Sequence, residues 1–251
     1  MMNNANEISK ETKLYGYIGE HAGASRFSAV LNKRLKEEGR DAMMIPMNIR
    51  EDDFYFTLVN MKKSHLSGAV IANEYVTRVL EVLDDASALV RRSGMCDLVL
   101  KEGEKLRGEL FGMRALSEHL KDLRARKIAL IGTSAHAKAF SFLACGFEVD
   151  YFHDNLEELM GFTKEVELEA ADMNRIAEGM QIDLSGYDAV LNFSNIANFS
   201  IVQKLGMVNL DMKSTKEFSP LRQRASELGA SYTSYDDLIE KLTQAVYRVI
   251  Y

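Results

Sequence analysis

Between Lys127 and Asn155 the chain passes through an apolar run, a turn of small residues, a helix pattern and a second apolar run. That is the order of a nucleotide-binding β-α-β unit. Lys127-Ile-Ala-Leu-Ile-Gly132 predicts a buried strand, Thr133 to Cys145 the helix it feeds, and Gly146 its stop. A helix placed there offers a pyrophosphate its unpaired N–H groups and positive dipole end, provided that small residues let the backbone approach. Only Gly132 is a glycine in this turn. The three-glycine fingerprint of dinucleotide sites is absent, so the turn is either a cofactor site or the remnant of one.

The same alternation organises the rest of the chain. Leu14 to Gly19 reads as a strand and Ser25 to Glu38 as a helix with Phe27, Val30, Leu31 and Leu35 on one face. Ala42 to Met47, Glu51 to Lys62, Gly68 to Ile71 and Val76 to Ala88 continue as strand, helix, strand, helix. Cys96 to Leu100 and Lys105 to Gly108 flank a glycine-bearing turn and predict a hairpin at the edge of a mostly parallel sheet. A second unit starts with a helix over Met113 to Leu123. It continues through strands at Lys127 to Ile131, Val149 to Phe152, Ala189 to Leu191 and Met207 to Leu210. Pro220 opens a helix that Gly229 stops, and Tyr235 to Tyr251 predicts a long amphipathic helix closing the chain.

With 251 residues, 47% of them hydrophobic, the chain can build one large domain or two small ones. A net charge of −6 without Lys/Arg clusters argues against nucleic acid as partner. No run of about 18 apolar residues occurs, which excludes a membrane-spanning helix. Met1 to Thr12 is polar and reads as a frayed terminus rather than a signal peptide, so the expected location is cytoplasmic. Cys96 and Cys145 stand in apolar surroundings and are expected to be buried free thiols, and no metal-ligand spacing is present.

Read end to end, several signatures resemble the shikimate dehydrogenase family. Tyr17-Ile-Gly19 with Ser25 and Asn32 is similar to its opening strand and serine-bearing substrate loop. Ser93-Gly-Met-Cys-Asp-Leu-Val99 resembles its Gly-Ala-Val-Asn-Thr-Val segment, and Gly103 to Gly108 the hairpin before its Asn-Thr-Asp motif. Asn209-Leu-Asp-Met212 and Ser219-Pro-Leu221, followed by Ala225 and Gly229-Ala230, resemble its closing strand and Thr-Pro-Leu helix. The resemblance implies a two-domain α/β fold. Residues 1–112 with the helix 235–251 would form a split, substrate-type α/β domain, and 113–234 a Rossmann-like dinucleotide-binding domain. A small-molecule ligand would sit in the cleft between them.

The resemblance also implies an NAD(P)-dependent oxidoreductase of a small hydroxy or keto acid, using a Lys and Asp pair beside the substrate hydroxyl. Neither is present. The family's Asn-Val-Thr-Ile-Pro-x-Lys motif falls on Val70 to Val76, so Val76 stands for the lysine, and Gly112 stands for the aspartate. Loss of an acid–base group costs about 10²- to 10⁴-fold in rate, so ordinary shikimate oxidation is not expected. Ser25, Asn32, Asn73 and Asp97 remain as substrate-side polar residues, and Glu74 and Tyr75 are the weak candidates for proton transfer.

On the nucleotide side, Gly132, Thr133, Ser134 and Ala135 take the place of the glycine-rich turn, with Ser134 as candidate cap. His136 is bulky where a small residue would suit a pyrophosphate, so steric exclusion of the cofactor competes with binding. The family's arginine for the 2′-phosphate of NADP is Asp154 here, an acid that suits a free ribose 2′-OH and favours NAD. Equally, Asp154 and Asn155 can simply begin the helix that follows. Asn192 survives from the family's Asn-Ala-Thr-Pro.

Three functions remain: a divergent NAD- or NADP-dependent oxidoreductase, a non-catalytic ligand- or partner-binding member that uses no cofactor, and a homodimeric scaffold. The last rests on the stripe Leu238, Leu242, Val246 and Val249, a pattern more often met in cores.

Overall fold

The first apolar run folds as β1 (Lys13–Gly19), whose last five residues are buried. It lies between two parallel neighbours, β2 (Ala42–Asn48) and β3 (Leu66–Ile71). Helices α1 (Phe27–Glu37) and α2 (Glu51–Met61) make the crossovers and bury Phe27, Leu31, Leu35, Phe54, Leu58 and Met61. The computed structural model describes residues 11–168, 172–177 and 179–251.

β2 forms one edge of this sheet, and its exposed backbone is blunted. The Asn32 amide donates to the Met44 carbonyl (2.9 Å) and accepts the Met44 N–H (2.7 Å), while Pro46, two residues on, has no N–H to offer. An edge so treated resists pairing with another strand.

Val76 to Ala88 departs from the expected helix. It forms a short 3-10 turn over Arg78–Val82, then β4 (Asp85–Ala86), and only then the helix α3 (Ala88–Ser93). Tertiary hydrogen bonds outcompete helix propensity here. Asp84 donates its N–H to the Leu106 carbonyl (2.9 Å), and its carboxylate accepts the Leu106 N–H (2.8 Å) and Lys62 Nζ (2.8 Å). The hairpin β5 (Leu98–Glu102) and β6 (Lys105–Glu109) turns at Gly103, whose φ of +64° suits glycine. It is not the sheet edge, because β4 pairs outside β6; the order is β2-β1-β3-β5-β6-β4.

The chain divides into two compact units, Met1–Gly112 with Ile239–Tyr251, and Met113–Leu238. The second opens with α4 (Gly112–Asp122) and β7 (Lys127–Ile131), continues through α5 (Ala135–Ser141), β8 (Glu148–His153), α6 (Leu156–Glu165) and β9 (Asp172–Arg175), and then β10 (Ile182–Asp183), β11 (Ala189–Asn192), β12 (Val202–Lys204) and β13 (Val208–Asp211). Its five-stranded sheet is wholly parallel in the order β13-β11-β7-β8-β9, so the strand order reverses beside β7. The edge strand β9 carries the polar sequence Asp-Met-Asn-Arg and gives no apolar signal, which is why its pattern does not announce it. α7 (Pro220–Leu228) follows Ser219, whose hydroxyl accepts the Arg222 N–H (2.9 Å), and stops at Gly229 with φ +64°.

Three further expectations change. α5 is seven residues long and ends at Ser141, before Gly146; Cys145 therefore lies in a turn and is exposed, while Cys96 is buried. The closing helix is a 3-10 turn, Tyr235–Leu238, followed by α8 (Ile239–Ile250). Its stripe is mostly spent inside the chain: Leu242 and Val246 are fully buried and α8 packs on α1, leaving Val249 at 38% exposure.

Candidate functional site

In the first unit Asn73, Glu74, Tyr75 and Asp97 lie near the ends of β1, β3 and β6, whereas Asn32 lies within α1 against β2. Asp97, buried just before β5, accepts the Phe111 N–H on Oδ1 (2.8 Å) and the Gly112 N–H on Oδ2 (2.7 Å). The absence of a side chain at Gly112 permits this: a Cβ there would stand 2.7 Å from Asp97 Oδ2. Thus the space beside Gly112 is closed by the Asp97 carboxylate. Val70, Ala72, Val76, Leu110 and Phe111 line the surroundings and are buried, so the local medium is apolar.

Tyr75 is also buried. Its hydroxyl donates to the Ile49 carbonyl (2.9 Å), its ring stacks on Phe54 at 4.2 Å, and burial pushes its pKa up to about 12. A phenol held neutral and committed to a carbonyl is a poor proton carrier near neutral pH. Glu74 is exposed and accepts the Glu20 N–H (2.9 Å), tying the 3-10 turn Asn73–Tyr75 to the end of β1. Asn73 is half-buried in that turn. Ser25 accepts the Phe27 N–H (3.1 Å) at the start of α1, and Asn32 is the side chain bonded to Met44. One residue without a motif in the sequence stands out: Ser28, on the first turn of α1, has a buried hydroxyl with no hydrogen-bond partner among the described residues. Its only sequence signal is its place three residues after Ser25.

In the second unit the turn after β7 meets the turn after β11, where the strand order reverses and α/β sheets bind ligands. Gly132 has φ +108°, and a Cβ on it would stand 2.6 Å from the Phe193 carbonyl carbon and 2.7 Å from the Ser194 nitrogen. Only glycine satisfies both demands. Asn192 holds the opposite turn, its side-chain oxygen accepting the Ser194 N–H (3.1 Å) and hydroxyl (2.7 Å).

Ser134 stands at the N-cap of α5, but its hydroxyl caps nothing. The first helical bond runs from the Lys138 N–H to the Ser134 carbonyl, and among the described residues the N–H groups of Ala135, His136 and Ala137 meet no backbone acceptor. The His136 ring stacks on Phe193 at 6.0 Å, its Nε2 is buried without a partner among the described residues, and burial lowers its pKa to about 4.

The acidic side chains collect at the end of β8. Thr133 donates its hydroxyl to Glu158 (2.5 Å), whose carboxylate is 3.5 Å from His153 Nε2. The Asn155 N–H lies 3.0 Å from His153 Nδ1, which is also 3.1 Å from the Asn155 carbonyl oxygen. Asn155 caps α6 by accepting the N–H groups of Glu157 (2.9 Å) and Glu158 (3.2 Å). Asp154 takes no part in that cap. It is exposed beside His153 Nδ1 (3.1 Å). Lys138, the cation of α5, is bound to Glu165 (2.7 Å). The groups of this turn that could hold a dinucleotide are the N–H groups at the start of α5 and the exposed Asp154 carboxylate. Among the described residues no cluster of metal-ligating side chains occurs, and no helix is long and apolar enough to cross a membrane.

No family model matches the chain. A curated relative named shikimate dehydrogenase (NADP(+)), from Dictyoglomus thermophilum, is 28% identical over 149 residues, 57% of this chain and 54% of that one. The chain spans about half the length of the curated relatives it matches. Solved structures agree over nearly the whole fold. Shikimate dehydrogenase from Aquifex aeolicus superposes with a TM-score of 0.72 at 15% identity, covering 97% of this chain and 94% of that one. The ligand-free 5-ketofructose reductase of a Gluconobacter species gives 0.67 at 15% identity, covering 95% and 99%. The order of strands, the split first unit and the matched stretch of sequence point the same way: the chain is a divergent relative of the shikimate dehydrogenase family.

Proposed function

We propose that this chain is a ligand-binding protein on the shikimate dehydrogenase fold that has given up shikimate dehydrogenation. The observation that carries this reading is the Asp97–Gly112 pair, which occupies the position of the family's acid–base aspartate. Val76, fully apolar and buried, stands at the lysine. With neither group present, the proton that must leave a hydroxyl during its oxidation has no carrier there. The apolar surroundings favour a ligand with fewer hydroxyls than shikimate, because each buried hydroxyl left unpaired is costly.

In the second unit the reading is a dinucleotide with a free ribose 2′-OH. Gly132 to Ala135 would present backbone N–H groups to the pyrophosphate, Asp154 would accept from the ribose, and Asn192 would keep the opposing turn in shape. A bound nicotinamide supplies hydride exchange. The test is calorimetric titration with NAD and NADP, together with a shikimate turnover assay. NAD binding stronger than NADP binding, without turnover, supports the proposal; no dinucleotide binding at millimolar concentration, or clear shikimate turnover, sinks it.

A second reading keeps catalysis, as an oxidoreductase of a small, less polar hydroxy or keto compound. The unpartnered Ser28 hydroxyl favours it, since a buried donor without a partner is satisfied by a polar ligand group. The 5-ketofructose reductase among the similar structures is consistent with other substrates on this fold. Glu74, exposed and close to the end of β3, is then the proton carrier. Nicotinamide-linked turnover that disappears in Glu74→Gln decides for this reading.

A further inference from the structure

The turn from Gly132 to Ala135 has little of its own to hold it. The helix it feeds, α5, is only seven residues long, and no side chain caps its start. So short a helix is marginal by itself, and its first turn takes its position from what packs against it. One tie comes from α6, where Glu158 accepts the Thr133 hydroxyl (2.5 Å). The other comes from a single residue in the turn after β11, Phe193.

Phe193 meets the segment at both ends. Its N–H donates to the carbonyl of Ile131 (2.8 Å), and its own carbonyl carbon lies against Gly132, where a Cβ would stand 2.6 Å away. Its ring, buried at 7% exposure, takes the other end: His136 stacks on it at 6.0 Å and Phe140 meets it tilted at 6.4 Å. These two rings are four residues apart and so share one face of α5. The backbone of Phe193 therefore fixes where the segment begins, and its ring fixes where the segment enters the helix. We propose, on the reading of this turn as the dinucleotide site, that Phe193 is a positioning residue for dinucleotide binding. It acts through the backbone of Gly132 to Ala135, whose N–H groups reach a pyrophosphate only when held in place, because such charge-assisted bonds weaken steeply with distance and angle.

Calorimetric titration of the full chain with NAD, well below the melting temperature of each variant, tests this. Phe193→Ala should weaken NAD at least about tenfold, the size of one lost bond to a charged group. His136→Ala should do the same, and the double variant should lose little more than either single one, because the two rings act as a pair. His136→Phe keeps the stack and should bind NAD to within about threefold of wild type. A residue that only stabilised the fold would lower the melt and leave the affinity of the folded protein unchanged. If Phe193→Ala does not fold, Phe193→Leu, which keeps most of the volume and loses the flat ring, is read in its place. Wild-type affinity in the folded Phe193 variant, or a His136→Phe variant as weak as His136→Ala, overturns this role and leaves the dinucleotide reading standing. A wild-type chain that binds no NAD overturns both.

Discussion

Asp97 and Gly112 share one space: the Asp97 carboxylate accepts the Gly112 N–H at 2.7 Å, and a Cβ on residue 112 would stand at that same distance from it. Restoring the family's acid with Gly112→Asp should therefore fail. The new side chain meets a buried carboxylate both sterically and by like charge, and a loss of about 3 kcal/mol is expected. The double variant Asp97→Asn/Gly112→Asp should recover part of it, and urea titration of the four proteins measures the coupling.

Tyr75→Phe removes the hydroxyl bonded to the Ile49 carbonyl while keeping the ring on Phe54. The expected cost is about 1–2 kcal/mol, since a carbonyl is left without its donor. Any nicotinamide-linked turnover should be unchanged. A large drop in turnover with unaltered stability would give Tyr75 a chemical role.

His136 gives the fold a pH dependence. Its folded pKa is about 4, below the ordinary histidine value, so the unfolded chain binds a proton that the folded chain refuses. Stability is then highest above about pH 6.5 and falls as pH drops towards 4, by up to about 3 kcal/mol. His136→Phe should flatten this slope and raise stability at pH 5, as seen in melts at pH 5 and 7.

Asp154→Arg should exchange cofactor preference. Removing the acceptor for a free 2′-OH and adding a cation should weaken NAD and strengthen NADP, moving their affinity ratio by at least about tenfold. An unchanged ratio would mean that Asp154 does not face the ribose.

The two cysteines should differ in reactivity. Cys145 is exposed, whereas Cys96 is buried, donates to the Leu98 carbonyl, and has its thiol pKa pushed far up by burial. A thiol reagent should label one group quickly in the native protein and the second only on unfolding, because the thiolate is the reactive form. Two fast groups would contradict the burial of Cys96.

Much of this was legible in the sequence, for definite reasons. Apolar runs such as Lys127–Ile131 and stop signals such as Gly229 act through neighbours in the chain, and the strands and helices they predict form with only small shifts at the ends. Val76 and Gly112, where the resemblance would put a lysine and an aspartate, are likewise visible as letters. What the sequence could not supply was partnership. Val76 to Ala88 reads as a helix until Asp84 finds Leu106, 22 residues away. Asn32 and Tyr75 show in the sequence as polar candidates but not that Met44 and Ile49 bond to them, and nothing in the letters tells that His136 stacks on Phe193, 57 residues later in the chain. Periodicity and turn chemistry are local, and so they settled the elements and the kind of fold. Whether a polar side chain faces a ligand or its own backbone depends on donors and acceptors brought together from distant segments, and only the tertiary structure decided that.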